Sequence, residues 1–274
     1  MRWLTAVDGA LATGRRASCW LLSTGRSLPD AVYYRLAGAN YRYRAVATEK
    51  RVRHESFRSY ELYNRHGNDW LLAALLDRCN DGDVIADVGA NTGVYALSVA
   101  AEYPNATVVA LEPNPQTTDA LRANVAVSGF EDRIQPLAIG LGNQNGSLPF
   151  YRSSYHELGS FNRYNAERWG ARIIDRENIP VRTLDSLVAA SDILPPDHVK
   201  IDTEGFGLAV LQGARQTLET YQPFVYIEPH ARQRGESDDC GESATAIRDF
   251  LIEANYTVIP GEDGWVCVPE GLDE

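Results

Sequence analysis

Lysine is almost absent from this chain. Lys50 and Lys200 are the only two lysines among 26 basic residues, and the formal net charge is -11. A protein kept soluble in concentrated salt and a protein from a GC-rich genome would both show this composition, and the sequence leaves both interpretations open. Because an acidic surface repels phosphate groups, we do not expect a nucleic acid as substrate or partner.

Cysteine motifs are missing as well. The four cysteines are Cys19, Cys79, Cys240 and Cys267, and no two of them form a Cys-x-x-Cys pair. This spacing gives no support to a zinc centre or a redox dithiol, so no metal site is predicted. Four thiols without a disulfide framework suit a reducing compartment, and we expect a cytoplasmic protein.

Long apolar runs are also lacking. The stretch Cys19–Leu22 is too short for the core of a signal peptide or for a membrane span. Residues 1–70 carry 12 Lys and Arg against 6 Asp and Glu, so a basic lead-in precedes an acidic body. Such a lead-in could contact anionic lipid headgroups or a glycan peripherally, but pairing of its arginines with the acidic body is the simpler interpretation. No pattern in the sequence indicates an oligomeric state.

Strand and helix patterns alternate after residue 69. Apolar runs predict strands at 84–88, 107–111, 133–139, 198–202 and 223–228. Periodic stretches between and around them predict helices at 70–76, 93–102, 115–127, 207–219 and 242–254. This order predicts an α/β fold with a doubly wound, mostly parallel sheet. Two short apolar runs at 256–259 and 265–268 flank a glycine-containing turn, which predicts a C-terminal antiparallel hairpin and a seven-stranded sheet.

Two segments lie outside this alternation. Residues 1–69 are predicted as a basic N-terminal extension with helices over 1–60, followed by one domain over 70–274. Between the third and fourth strands, residues 140–197 form a long insertion with hairpin-like pieces at 147–151 and 179–182. Long insertions at the carboxyl edge of such a sheet usually act as lids or substrate loops, so the insertion is predicted to cover the substrate.

A glycine-rich turn follows the first predicted strand. Residues 87–93 read Asp-Val-Gly-Ala-Asn-Thr-Gly, and the next strand ends on Glu112, 19 residues beyond Gly93. Glycine lets a nucleotide-like cofactor approach the backbone, and the carboxylate can accept hydrogen bonds from both hydroxyls of a ribose. An adenosine-containing cofactor is therefore predicted.

The glycine spacing distinguishes between cofactors. A dinucleotide site would need glycines at positions 89, 91 and 94, whereas this chain has Asn91 and Val94. Asp87 also suits a ligand ammonium group better than a phosphate, since like charges repel. The segment instead resembles the S-adenosylmethionine (SAM) site of class I methyltransferases. An NAD-dependent sugar oxidoreductase remains the alternative.

Charged residues collect at the ends of the fourth and fifth predicted strands. Lys200, Asp202 and Glu204 follow one strand, and Glu228 and His230 follow the other. Carboxyl ends of parallel strands share one edge of the sheet, where ligands bind in open α/β folds, so all five are predicted catalytic residues. Asp202, Glu204 and His230 are the candidates for a general base, and Lys200 would hold Asp202 ionised. The carboxylates could also hold Mg²⁺, but no His/carboxylate spacing demands a metal.

Several stretches of the chain resemble the FkbM family of SAM-dependent methyltransferases. They are residues 83–93, Val181–Ser186, Val199–Gly205 with Val210–Ala214, and Ile227-Glu228, in the family's order and spacing. The resemblance implies the class I methyltransferase fold and SAM as cofactor. It also implies O-methylation of a hydroxyl, or of a carboxylate, on a sugar, glycan or similar small polar acceptor.

The resemblance also bears on individual residues. It implies a cofactor-binding set of Asp87, Gly89, Ala90, Asn91, Gly93, Glu112, Pro113, Asn114 and Ala138. The family usually carries a second Glu two residues after Gly205, where this chain has Gly207. This departure leaves a catalytically silent SAM-binding module as a further alternative.

Overall fold

The computed structural model describes residues 36, 38–62, 69–154, 158–167, 170–230, 243–262 and 264–271. Residues 38–43 are helical, and a strand pair follows. The strands are β1 Thr48–Val52, β2 Glu55–Ser59, β3 Val84–Val88, β4 Thr107–Leu111, β5 Ile134–Leu137, β6 Gly140–Leu141, β7 Gly146–Ser153, β8 Ile173–Arg182, β9 His198–Ile201, β10 Phe224–Ile227, β11 Tyr256–Pro260 and β12 Trp265–Pro269. The helices are α1 Trp70–Arg78, α2 Val94–Glu102, α3 Pro115–Ser128, α4 Arg163–Ala166, α5 Leu184–Ala189, α6 Gly207–Gln212, α7 Arg215–Tyr221 and α8 Ala244–Glu253.

The central sheet has seven strands in the order β11-β12-β10-β9-β3-β4-β5. Strands β10, β9, β3, β4 and β5 run parallel to one another. Strand β12 joins β10 antiparallel and carries β11 as a hairpin partner. This confirms the predicted doubly wound sheet with its C-terminal hairpin, which is the class I methyltransferase fold.

Two apolar cores cover the two faces of the sheet. Along β3, Ile85 faces the core built with α1 and α2, whereas Ala86 and Val88 face the core built with α5, α6 and α8. Burial on both faces explains why the parallel strands read as near-continuous apolar runs. The carboxyl ends of β3, β4, β9 and β10 consequently lie side by side at one edge.

The predicted helix 207–219 is split. Helix α6 ends at Gln212, and α7 begins at Arg215. A Cβ atom on Gly213 would lie 2.0 Å from the carbonyl oxygen of Gly142, so the insertion's backbone crosses the chain there. The Asp185 carboxylate accepts hydrogen bonds from the backbone N–H groups of residues 216 and 217 and so caps the new helix. The break is thus imposed by distant residues.

The expectation of helices throughout 1–60 is wrong for residues 48–59. Strands β1 and β2 form an antiparallel hairpin there. Val52 and Phe57 are buried on the face that packs against α2 and α3, while intervening residues are exposed, which is the period-two pattern of a half-buried strand. Residues 1–35 lie outside the described part of the chain, and the division of the chain at residue 69 stays a prediction.

The insertion 140–197 carries a small sheet of its own, in the order β6-β8-β7. The two predicted hairpin-like pieces pair with each other, with Leu148 opposite Ile179. Among the described residues, no helix is long and apolar enough to cross a membrane.

Candidate active site

The turn after β3 lies in contact with the turn after β9. Gly89 has a φ of 76°, and its N–H and that of Ala90 donate to the carbonyl of Leu111 on β4. A Cβ atom on Gly89 would lie 2.0 Å from the carbonyl oxygen of Asp202. Glycine is therefore required at position 89 both for its backbone conformation and for this close approach. The two motifs predicted from the sequence belong to one site.

Glu112 connects the end of β4 to this turn. It follows β4 directly and is 8% exposed. Its Oε2 accepts from the N–H of Asn91 at 3.0 Å, and its Oε1 accepts from the N–H of Asn114 at 2.8 Å. Burial raises the pKa of Glu112 to about 7, against the lowering effect of these two hydrogen bonds. Each oxygen keeps a second lone pair with which it can accept from a ligand hydroxyl.

The remaining predicted cofactor residues lie at the same edge. Gly93 starts α2 with a φ of 93°. Pro113 and Asn114 lead into α3, where the Asn114 side chain accepts from the N–H of Gln116 as an N-cap. Ala138 directly follows β5. The structure thus brings the predicted set to the ends of three neighbouring strands, β3, β4 and β5.

Lys200 is a buried cation shared by two carboxylates. It is 3% exposed and lies opposite Asp87 in the β3–β9 register. Its Nζ is 3.3 Å from Asp87 Oδ1 and 3.6 Å from Asp202 Oδ2, and it donates to the Gly89 carbonyl at 3.2 Å. Burial alone would lower the pKa of Lys200, but Asp87 and Asp202 raise it above its ordinary value. Lys200 therefore stays charged and favours the ionised form of both carboxylates.

His230 lies between two carboxylates. Its Nε2 is 2.8 Å from Asp202 Oδ1, and its Nδ1 is 3.5 Å from Glu204 Oε2. Burial alone would lower the pKa of His230, but Asp202 and Glu204 raise it to about 9. Burial would raise the pKa of Asp202, but Lys200 and His230 bring it well below its ordinary range. At neutral pH this arrangement contains an imidazolium and an ionised Asp202, and neither is a free base of suitable strength.

Comparison with known proteins identifies the family. Residues 87–258, more than half of the chain, match the methyltransferase FkbM domain. The chain belongs to the FkbM methyltransferase family. This membership favours methyl transfer over the NAD-dependent oxidoreductase that the sequence left open.

Individual relatives of this FkbM-family chain show where the similarity lies. It is 29% identical over 178 residues to the hexuronic acid methyltransferase AglP of Haloferax volcanii, covering 63% of this chain and 66% of that protein. It is 33% identical over 197 residues to the 31-O-demethyl-FK506 methyltransferase FkbM of Streptomyces tacrolimicus, covering 64% and 68% respectively. It is 26% identical over 156 residues to the 2-O-methyltransferase NoeI of Sinorhizobium fredii, covering 53% and 62%. The chain thus matches about two thirds of the length of each of these three relatives.

Among solved structures, a crystal structure of a methyltransferase FkbM from Methylobacillus flagellatus KT is similar to this chain. It aligns with a TM-score of 0.49 and 17% identity, covering 76% of this chain and 46% of that one.

The end of β3 fits the amino-acid portion of SAM. Asp87 is fully buried, and neither of its carboxylate oxygens has a well-aligned hydrogen-bond donor among the described residues. The Nζ of Lys200 is 3.3 Å from Asp87 Oδ1 and also donates to the carbonyl of Gly89. Burial raises the pKa of Asp87, with Lys200 opposing the shift. A ligand ammonium would supply the missing donors and stabilise the charged carboxylate.

Glu228 differs from its neighbours. It follows β10 directly, as Asp202 follows β9. Burial and the nearby Asp202 raise the pKa of Glu228 to about 7. One ligand atom each from Asp202, Glu228 and His230 lies within 4.8 Å of the others. This spacing serves acid–base chemistry and would also accommodate a divalent cation, which the sequence did not favour.

The site also contains residues that sequence reasoning missed. Two side chains of the insertion, Ser160 and Asn165, donate to the carbonyl of Glu204 at 2.7 and 3.0 Å. Gly205 has a φ of 72°, and a Cβ atom there would lie 2.0 Å from Asn165 Nδ2. On the other side, the Tyr95 ring lies 4.6 Å from Lys200 Nζ. Nothing in the local pattern of these residues marks them, because their contacts join distant parts of the chain.

Proposed function

We propose that this protein transfers a methyl group from SAM to a hydroxyl of a sugar, glycan or similar small polar acceptor. The observation that carries the proposal is the close approach of Gly89 to Asp202, which puts the predicted cofactor turn beside the acidic residues at the ends of β9 and β10. The similarity to a hexuronic acid methyltransferase and to a 2-O-methyltransferase supports this acceptor class.

Glu228 is the proposed general base. A base works best when its pKa lies near the operating pH, and the pKa of Glu228 is raised to about 7. Bound SAM supplies an electrophilic methyl group. Glu228 then accepts the proton of the acceptor hydroxyl, so that the oxygen becomes a better nucleophile as it approaches that methyl.

The other charged residues position the acceptor. The imidazolium of His230 can donate to an acceptor oxygen if one of its contacts to Asp202 or Glu204 yields, and Asp202 can accept from a neighbouring hydroxyl. Lys200 keeps Asp202 ionised from its buried position. Such positioning can contribute on the order of 7–11 kcal/mol to a displacement reaction.

Methyl transfer to a carboxylate is the second candidate, because the AglP relative is named for a hexuronic acid. A carboxylate acceptor is already ionised at neutral pH and needs no base. Loss of Glu228 would then change turnover little, and the product would be an ester that mild alkali cleaves. Methylation of a hydroxyl gives an alkali-stable ether and requires the base.

The experiment is transfer of a labelled methyl group from SAM to a panel of hexuronic acids, neutral sugars, glycans and RNA by the full chain. We expect label in the saccharides, in an alkali-stable form. SAM binding by calorimetry without label in any acceptor would support the silent module suggested by Gly207. Label in RNA alone would overturn the acceptor class. Inhibition by EDTA and rescue by Mg²⁺ would place a cation among Asp202, Glu228 and His230.

We further propose a cytoplasmic location without nucleic-acid partners. Cys79 and Cys267 are free thiols, as a reducing compartment would leave them. Contact of the basic residues 1–70 with anionic lipid is the competing proposal. Sedimentation with anionic vesicles tests it, and binding that falls as salt rises would favour the lipid contact.

A further inference from the structure

A second group of chemically reactive side chains lies at the opposite edge of the sheet. Cys79 ends α1, Asp83 precedes β3, and His198 is the first residue of β9. The active site lies at the carboxyl ends of the same strands, so this group plays no part in the proposed methyl transfer. Cys79 is 6% exposed and His198 is 1% exposed.

The three side chains converge on one point. A sulfur, an oxygen and a ring nitrogen, one from each residue, all lie within 4.8 Å of one another. His198 Nε2 is 2.9 Å from Asp83 Oδ2. Two bonds of ~2.0 Å at a tetrahedral angle hold the nitrogen and the oxygen about 3.3 Å apart, so small side-chain movements would admit a zinc ion between the three ligand atoms.

We propose that Cys79, Asp83 and His198 bind a divalent transition-metal ion of the zinc class. Thiolate, imidazole and carboxylate are the donors that such an ion prefers, and three protein ligands leave a fourth position for water. A thiolate and a carboxylate also balance the two positive charges, so the buried site is neutral when loaded. The side chain of Asp83 is 21% exposed, which gives the ion a way in from solvent.

The surroundings of His198 suit a ligand. Its Nδ1 lies 3.2 Å from the Tyr226 hydroxyl, and its ring is stacked on Phe224 with centroids 5.4 Å apart. When Nε2 binds the ion, the ring proton resides on Nδ1 and is donated to Tyr226, which fixes the tautomer and ring orientation. Cys79 binds as thiolate, so its thiol proton leaves to solvent as the metal–sulfur bond forms.

Bound metal would join two consecutive elements, α1 and β3, to β9, whose His198 lies 115 residues beyond Asp83. It would link the end of α1 to the beginnings of β3 and β9, the strands whose other ends carry Gly89 and Asp202. The ion is therefore a structural tie, and its binding is independent of whether the protein methylates a sugar.

The test uses the full chain after treatment with a chelator. Titration with Co²⁺ should produce the intense near-ultraviolet band of a thiolate–cobalt bond. Titration with Zn²⁺ should release about one proton per ion and raise Tm by roughly 5 °C or more. Cys79→Ala should abolish the cobalt band and the Tm shift.

Matched variants locate the ion. Cys267→Ala removes the second buried free thiol of the described residues, on β12, and should leave the band and the shift intact. His198→Gln provides a second test should Cys79→Ala fail to fold. The proposal is overturned if no thiolate–cobalt band forms or if the band survives in Cys79→Ala. Should Cys79→Ala not fold, an unchanged band and Tm shift in His198→Gln overturn it. It is also overturned if Zn²⁺ binding is lost in Glu228→Gln instead, since the ion would then occupy the methyl-transfer site.

Discussion

The titratable residues at the carboxyl edge of the sheet differ in their charged neighbours and therefore in their pKa values. Lys200 lies against Asp87, and His230 lies between Asp202 and Glu204, so both cations have carboxylate partners. Glu228 lies within 4.8 Å of both Asp202 and His230, and burial and the repulsion from Asp202 raise its pKa to about 7 against the lowering effect of His230. The sequence analysis named Asp202, Glu204 and His230 as candidate bases, whereas we propose Glu228 because its pKa is raised to about 7.

Glu228→Gln should lower kcat by about 10²–10⁴-fold for a hydroxyl acceptor while SAM binding changes little. In the unmodified chain kcat should rise with pH through about 7, because the base must lose its proton, and fall again near 9 as His230 loses its own. A pH–rate series checks both limbs. The exposed Glu219→Gln serves as control, and a rising limb that persists in Glu228→Gln would assign the base elsewhere.

Glu112→Ala should weaken SAM binding at least tenfold. The change removes an acceptor for ligand hydroxyls, and charge-assisted hydrogen bonds contribute roughly 1.5–3 kcal/mol each. It also frees the N–H groups of Asn91 and Asn114 that hold the turn. Calorimetric titration with SAM measures the effect, with the exposed Glu131→Ala as control. An unchanged dissociation constant in a folded Glu112→Ala protein would remove this residue from the site.

Among the elements, the insertion contacts the active site at the carbonyl of Glu204. Ser160→Ala combined with Asn165→Ala removes both side-chain hydrogen bonds to Glu204 O. Since each such bond contributes about 1 kcal/mol, kcat/KM for the acceptor should fall roughly tenfold or more, with little change in SAM affinity. Steady-state kinetics checks this, and Asn143→Ala, an exposed change in the same insertion, is the control.

The same double variant also tests whether the insertion acts as the predicted lid. Hydrogen exchange in 158–167 should slow when SAM and acceptor are both bound, and the double variant should lose part of that protection. Exchange that is already slow in the free protein would argue that the insertion is a fixed wall. Equal kcat/KM in the double variant and the unmodified chain would show that the insertion does not position Glu204.

The break between α6 and α7 can be tested by a substitution at Gly213, where the two helices are separated. Gly213→Ala places a methyl group 2.0 Å from the Gly142 carbonyl oxygen and should destabilise the fold by about 1–3 kcal/mol. Gly146→Ala is the matched control, because its Cβ would meet nothing within 4 Å. Urea unfolding compares them. Equal urea midpoints in the two variants would show that the backbone at Gly142 and Gly213 moves apart at little energetic cost.

For the whole molecule, stability should depend on pH through His230. Its pKa is raised from 6.5 to about 9 on folding, so the folded state holds its proton more tightly than the unfolded chain does. The resulting stabilisation is fully present below about pH 6.5 and is lost as pH rises through 9. Tm should therefore fall by several degrees between these values. His230→Gln should flatten this dependence, whereas the exposed His54→Gln should not, and a flat curve in the unmodified chain would contradict the charged imidazole.

The sequence by itself determined the local features of this protein. The sequence Asp87–Gly93 predicts a turn because glycine adopts positive φ values without steric cost, as Gly89 and Gly93 do in the structure. The apolar runs predict parallel strands because a strand that is buried on both faces needs apolar residues at nearly every position. Glu112, Asp202 and Glu228 directly follow three of those strands. They reach one edge because parallel strands end at the same edge of the sheet.

The tertiary structure decided what depends on residues far apart in the chain. We propose Glu228 and not His230 as the base because their neighbours give them different pKa values, and a pattern along one strand does not show those neighbours. The hairpin at 48–59 forms because its apolar side chains meet α2 and α3, and α6 ends early because Gly142 crosses it. Cys79 and Asp83 meet His198 only because α1, β3 and β9 pack together, since side-chain contacts across a fold arise from packing and not from spacing along the chain.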